Sequence, residues 1–204
     1  GAKVTFRIDR PWIADPQFEA VERAMETATG YSFPSGHTQG AFALYGTLGL
    51  SCSRKWQSAL WFLLACGVGV SRLYLGVHTP LDVLGAAVIT LLSIFFVHLL
   101  FRKNRIHEHT LLVSCILFAL SAALLVYVFT LYHNGVVDAA NAADCCKAAG
   151  AGLGFAVGYY LEHTYIRFDP KEGGVLWQVC KLAAGFAVAL LLKSGLKYVL
   201  GESL

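Results

Sequence analysis

The chain reads as an all-α, polytopic transmembrane helix bundle with a short extramembrane arm. Three observations predict it. Hydrophobic residues make up 56% of the 204 positions and charged residues only 14%, whereas a soluble domain carries about 25% charged residues. The mean hydropathy is +0.58. The apolar residues also gather into long segments, of the ~17–25 residues that a helix needs to cross a bilayer.

Residues 1–33 form the arm. Pro11 and Pro16 interrupt it, and the run with Asp15, Glu19, Glu22, Arg23 and Glu26 predicts an amphipathic surface helix. Apolar segments follow at about 36–53, 56–72, 81–101, 110–132 and 174–200, the first two at the short end of the spanning window. A sixth, about 145–166, is less oily and rich in small residues. Gly150, Gly154 and Gly158 recur in it at four-residue intervals, which predicts a face that a second helix can approach closely. A nucleotide-binding glycine loop does not fit, because no strand precedes it and no lysine follows at the required position.

The chain opens Gly-Ala-Lys, without an initiator methionine or a visible signal peptide, and reads as a fragment that lacks upstream helices. Residues 1–102 then form a core, and 103–204 supply additional C-terminal transmembrane helices that pack on the core or form a dimer contact. Beyond that contact, nothing in the sequence supports an oligomer.

A net charge of +3, with no basic run interleaved with aromatics, offers nothing to a nucleic acid. Cys52, Cys66, Cys115, Cys145, Cys146 and Cys180 sit mostly in apolar stretches and form no CxxC pair. They read as packing residues, so neither a zinc site nor a disulfide is expected. Arg54 and Lys55, then Arg102, Lys103 and Arg105, then Arg167 and Lys171 fall in turns on one face if the segments alternate direction. The opposite loop, from His133 to Asp144, has no lysine or arginine. Positive charge favours the cytoplasmic side, so that other face is expected to point outward. The arm's Lys3, Arg7, Arg10 and Arg23 count against this orientation.

Three polar clusters punctuate the first 82 residues: Lys3 with Arg10-Pro11, Pro34-Ser35-Gly36-His37, and Ser71-Arg72 with His78 and Asp82. Ionisable groups at or near membrane depth are costly without partners, which makes them a functional site by default. Pro34 suits the first position of a helix, so Ser35, Gly36 and His37 would present backbone N–H groups at a helix N-terminus. Such an end attracts phosphate, and Gly36 lets an anion approach closely. His37 would stand beside that anion with a proton to give; an ordinary helix start with a solvated histidine fits the same residues.

Pro80 again fits a helix start, with Thr79 as its cap. His78 and Asp82, four residues apart, can share one side of a helical turn. A carboxylate on one ring nitrogen fixes the tautomer and frees the other nitrogen to attack. Asp82 can equally be a capping residue at the third helical position. Arg10 and Arg72 supply planar forks for phosphate oxygens, and Lys3 a compact charge.

The ordered pattern is more specific than its parts. Lysine, six residues, Arg-Pro; then Pro-Ser-Gly-His; then Ser-Arg, five residues, histidine, three residues, aspartate: this resembles the full signature of the type 2 phosphatidic acid phosphatase superfamily. That family includes membrane lipid phosphatases, glucose-6-phosphatase and the soluble vanadium haloperoxidases. The resemblance covers residues 3 to 82 without a departure inside the motifs. It implies that His78 is the nucleophile, that Asp82 orients it, and that His37 protonates the leaving alkoxide and later activates water. It also implies that Lys3, Arg10, Ser35, Gly36 and Arg72 bind phosphate oxygens, with no metal and no cofactor. Cations aimed at the phosphoryl oxygens stabilise the transition state on their own.

The function expected is an integral membrane hydrolase of a lipid phosphate or diphosphate, acting through a phosphohistidine with its site on the extracytoplasmic face. Phosphatidate, phosphatidylglycerol phosphate, isoprenyl diphosphates and sphingoid phosphates share the phosphate that the motifs recognise. A lipid-phosphate binding or transport protein would use the same headgroup site, and a vanadate-dependent haloperoxidase the same anion cage. His98, His107, His109, His133 and His163 read as interfacial packing residues. Asp138, Asp144 and Glu162 could line a polar path between helices, but no spacing favours that role. Of Lys181, Lys193 and Lys197, the last two are placed to snorkel toward the interface.

Overall fold

A computed structural model describes residues 1–102, 109–169 and 174–200. Lys103, Arg105 and Lys171, counted above in the basic turns, and His107, read above as a packing residue, lie outside the described residues. The chain divides into two compact units, Gly1–Tyr160 and Leu161–Leu204.

In the first unit the arm holds three short helices: α1 (Ala2–Phe6), α2 (Pro11–Ala14) and α3 (Glu22–Thr27). The expected surface helix is therefore only the six residues of α3. Helix α4 (Gly36–Ala41) runs through a π-turn (Phe42–Gly46) into α5 (Thr47–Ser51). The long helices α6 (Lys55–Tyr74), α7 (Pro80–Arg102), α8 (Thr110–His133) and α9 (Ala139–Leu161) follow.

Contacts between these helices place the polar clusters together. A Cβ on Gly49 would meet Phe62 and the Ser58 carbonyl, and one on Gly69 would meet Val83 and Thr38. The α4–α5 rod therefore runs antiparallel to α6, and the starts of α4 and α7 converge on the end of α6. Tyr45 and Trp61 stack across this hairpin at 5.8 Å. After α6 the chain turns at Gly76, whose φ of +69° favours glycine. The Val21 N–H donates to the Leu75 carbonyl at 3.2 Å and ties the arm to that turn.

Helix α1 is seated by its buried valine. Val4 is 1% exposed and packs with Val128 of α8, Val137, and Ala142 and Cys145 of α9. Burying such a side chain stabilises by about 1.5–3 kcal/mol. Thr5 Oγ1 lies 3.2 Å from the Tyr127 hydroxyl on α8. The arm thus bridges the two halves of this unit.

Three described helices are long and apolar enough to cross a membrane: Pro80–Leu99, Thr110–His133 and Val175–Gly195. The segment at 36–53 is the short rod of α4, the π-turn and α5, and the one at 56–72 belongs to helix α6, which carries Lys55, Gln57, Ser58, Ser71 and Arg72 within its 20 residues. One expectation needs correction, the glycine stripe of α9. Cβ atoms on Gly150, Gly154 or Gly158 would meet nothing, whereas one on Gly152 would collide with Ser121 of α8. The packed face is Ala142, Cys145, Ala149, Gly152 and Ala156, and Ser114 Oγ donates to the Ala156 carbonyl at 3.0 Å. Alanine admits a neighbour nearly as closely as glycine, so spacing alone did not select the face.

The second unit opens with a π-turn (Glu162–Ile166) that ends at Arg167 in the left-handed region. The Phe168 N–H donates to Glu162 Oε1 at 3.1 Å, and Lys181 Nζ sits 4.6 Å over the Phe168 ring. Helix α10 (Val175–Leu200) completes it.

Candidate active site

Both helix starts that build the site are set by local chemistry. Pro34 follows a cis bond from Phe33 and precedes the helix; Ser35 is the N-cap and Gly36 the first helical residue. Pro34 is thus two positions earlier than its helix preference suggested, because the Ser35 hydroxyl takes the capping place. Ser35 Oγ accepts from the Thr38 N–H at 3.4 Å and from Thr38 Oγ1 at 2.9 Å. At α7, Pro80 begins the helix and Thr79 caps it. Thr79 Oγ1 accepts from the Asp82 N–H at 3.3 Å, while Asp82 Oδ2 accepts from the Thr79 N–H at 2.7 Å. This reciprocal pair is a capping box. His78 lies just before the helix rather than on its first turn.

The two starts are locked to each other. The Ser35 N–H donates to the Asp82 carbonyl at 3.2 Å. A Cβ on Gly85 would collide with the Phe33 ring, which in turn meets Phe6 edge-on at 5.1 Å. Helix α1, the segment before α4 and helix α7 are held as one assembly.

Between them opens a cleft of about 460 Å³, lined by Lys3, Arg10, Gly36, His37, Arg72 and His78, with Thr27 and Thr29 from the arm. Six of the eight residues singled out in the sequence meet here. Asp82, 1% exposed, stands behind His78 with Oδ2 3.6 Å from Nδ1. Ser35 does not line the cleft either: it is fully buried, its Oγ caps α4, and its N–H donates to the Asp82 carbonyl.

Arg10 is only 4% exposed and is committed on several sides. Its Nε donates to the Gly30 carbonyl at 3.0 Å, Nη2 to Thr29 at 2.8 Å and Nη1 to Val77 at 2.8 Å. Nη1 also lies 3.0 Å from His78 Nε2. Of five guanidinium hydrogens, one on Nη2 is left for a ligand among the described residues. Arg72 is looser, its Nε donating to Ser71 Oγ at 3.3 Å.

The electrostatics suit an anion. Burial pushes Lys3 below its usual value and Arg10 adds to the shift, while Asp144 and Asp82 oppose it. Burial likewise lowers His37, and the charges of Arg72, His78, Lys3 and Arg10 add to that. Burial lowers His78 too; the neighbouring Asp82 carboxylate resists and Arg10 assists. Cations crowded against one another relax when an anion enters, which is a mark of a functional cleft. A neutral imidazole at His78 can present an Nε2 lone pair, and His37, which also lines the cleft, can give or take a proton.

Sequence reasoning missed Ser32. It is fully buried; its Oγ donates to Asp82 Oδ2 at 2.6 Å and lies 3.4 Å from His78 Nδ1. One serine without a motif spacing gave no signal.

Residues 1–106 match the family model described as the PAP2 superfamily. Residues 146–204 match the one described as "PAP2 superfamily phosphatase, transmembrane extension". The chain belongs to the PAP2 superfamily and is an integral membrane protein. It is 42% identical over 77 residues to the Bacitracin transport permease protein BcrC of Bacillus licheniformis, covering 38% of this chain and 37% of that one. It is 37% identical over 78 residues to Phosphatidylglycerophosphatase B of Bacillus subtilis, covering 34% and 38%. It is 29% identical over 148 residues to Sphingosine-1-phosphate phosphatase 2 of Homo sapiens, covering 66% and 35%. The chain thus spans little more than a third of the length of each of these relatives. No solved structure matches it.

Proposed function

We propose that this protein hydrolyses a lipid phosphate or lipid diphosphate through a phosphohistidine on His78. The observation that carries the reading is the pairing of His78 with Asp82 at the wall of a cleft shared with Lys3, Arg10, Arg72 and His37. Two relatives named as phosphatases of lipid phosphates support the substrate class.

In the proposed course the phosphoryl group displaces the Arg10 contact at Nε2, and Lys3, Arg10, Arg72 and the Gly36 and His37 N–H groups take its oxygens. Helix N-termini and fixed cations both favour such an anion. The Nε2 lone pair attacks phosphorus, the bond to the leaving oxygen breaks, and His37 protonates that oxygen. Water then attacks the phosphohistidine, giving a proton to His37, and the P–N bond returns its electrons to Nε2. Fixed cations supply the charge stabilisation that other phosphoryl-transfer sites take from metal ions. The reaction is therefore proposed to be metal-independent.

The site is proposed to open on the extracytoplasmic face. Arg54 and Lys55 lie at the far end of the α5–α6 hairpin from the cleft, and positive charge favours the cytoplasm. Ser35 is proposed to serve this site by capping α4, rather than by touching phosphate.

The test is phosphate release in detergent from dioleoyl phosphatidate, phosphatidylglycerol phosphate, farnesyl diphosphate and sphingosine phosphate. Turnover of at least one, abolished in His78→Ala, is expected. Saturable binding of these lipids without any release would favour headgroup capture or transport, a role to which the permease-named relative points.

A further inference from the structure

We infer that Ser32 is a positioning residue for the nucleophile, an inference that rests on the hydrolase reading above. The described serines elsewhere on helices mostly bond backward to their own helix. Ser51, Ser71 and Ser93 donate to carbonyls three or four residues earlier. Ser32 bonds nothing local. Its hydroxyl reaches across 50 residues of sequence to Asp82 and across 46 to His78. It is completely buried, so solvent does not compete for that hydroxyl.

The donor count settles what it does. A hydroxyl has one hydrogen, and the 2.6 Å contact gives it to the Asp82 carboxylate. Only a lone pair is then left to face His78 Nδ1, which must carry its own hydrogen. The direct gap from Nδ1 to Asp82 Oδ2 is 3.6 Å, too long for a hydrogen bond by itself. Ser32 therefore completes the acceptor for Nδ1–H and fixes the tautomer that leaves Nε2 with a free electron pair.

Ser32 is itself pinned, its N–H donating to the Ile8 carbonyl at 2.7 Å, two residues before Arg10. With Arg10 Nη1 at 3.0 Å from Nε2, the arm grips the imidazole at both nitrogens. The arm thus aims the nucleophile as well as supplying phosphate ligands.

The experiment is steady-state phosphate release from whichever of the four lipids turns over, with purified Ser32→Ala, Asp82→Asn and the double variant. Ser32→Ala is expected to lower kcat by about 10–100-fold, by analogy with the range for partners that orient metal-bound histidines, with KM within about two-fold. The double variant should lose no more than Asp82→Asn alone, since coupled residues are not additive. If Ser32→Ala does not fold, Ser32→Cys keeps a weak donor at similar size and should show a smaller kcat loss of the same kind. Unchanged kcat, a loss borne by KM, or losses that multiply in the double variant would overturn the role. A wild-type chain with no turnover would instead overturn the hydrolase reading, and the role with it.

Discussion

Under the proposed mechanism two demands meet at His78: the ring must be neutral to attack, yet it sits among cations that need an anion. Burial meets the first, holding its pKa below 6.5, and the same cause lowers His37. The sign follows directly. Neutral His78 accumulates as pH rises through its lowered pKa, while protonated His37 is lost as pH rises through its own. Their product, and hence kcat/KM, should peak below pH 6.5; a pH–rate profile peaking above pH 7.5 would contradict this. Asp82→Asn should cost about 10⁴-fold in kcat, the scale seen when an orienting carboxylate is neutralised, with the thermal midpoint in detergent showing whether the fold survives. Residue identities were readable in the sequence because Lys3, Arg10, His37, Arg72, His78 and Asp82 stand at fixed spacings in an apolar chain. The orientation of small hydroxyls was not. Ser35 turned inward to cap α4, and Ser32, with no motif position, turned toward Asp82. The Ser32 choice depends on a contact 50 residues away.

Elements carry the geometry. The capping box at Thr79 and Asp82 makes one carboxylate both a helix cap and the backing of His78. Caps and prolines made the start of α7 readable in advance, and hydropathy did the same for the long helices. The π-turn at Phe42–Gly46 and the packed face of α9 were hidden, because several faces of α9 are lined by small residues. That face is testable. Gly152→Val should drive into Ser121 and cost about 1–3 kcal/mol, as overpacking does. Gly154→Val, in open space, should leave the thermal midpoint nearly unchanged. Equal effects from the two would show that α8 and α9 meet on another face.

Across the whole molecule, one arm, two helix starts and one helix end bring three cations and two histidines to a single cleft. Under the proposed mechanism these fixed charges do what divalent ions do elsewhere, so excess chelator should leave turnover within about two-fold; loss restored by added Mg²⁺ would count against metal independence. The proposed orientation predicts that Asn134→Cys, in the loop after α8, reacts with a membrane-impermeant maleimide on intact cells. Lys55→Cys should react only after lysis, and the reverse pattern would invert the topology. The central claim is the covalent intermediate at His78. Protein mixed with ³²P-labelled lipid phosphate, quenched in alkali within a turnover and mapped by mass spectrometry, should carry phosphate on His78. His78→Ala should carry none and should not turn over. An unlabelled His78 in an enzyme that is turning over, or a His78→Ala variant with full activity, would contradict the account.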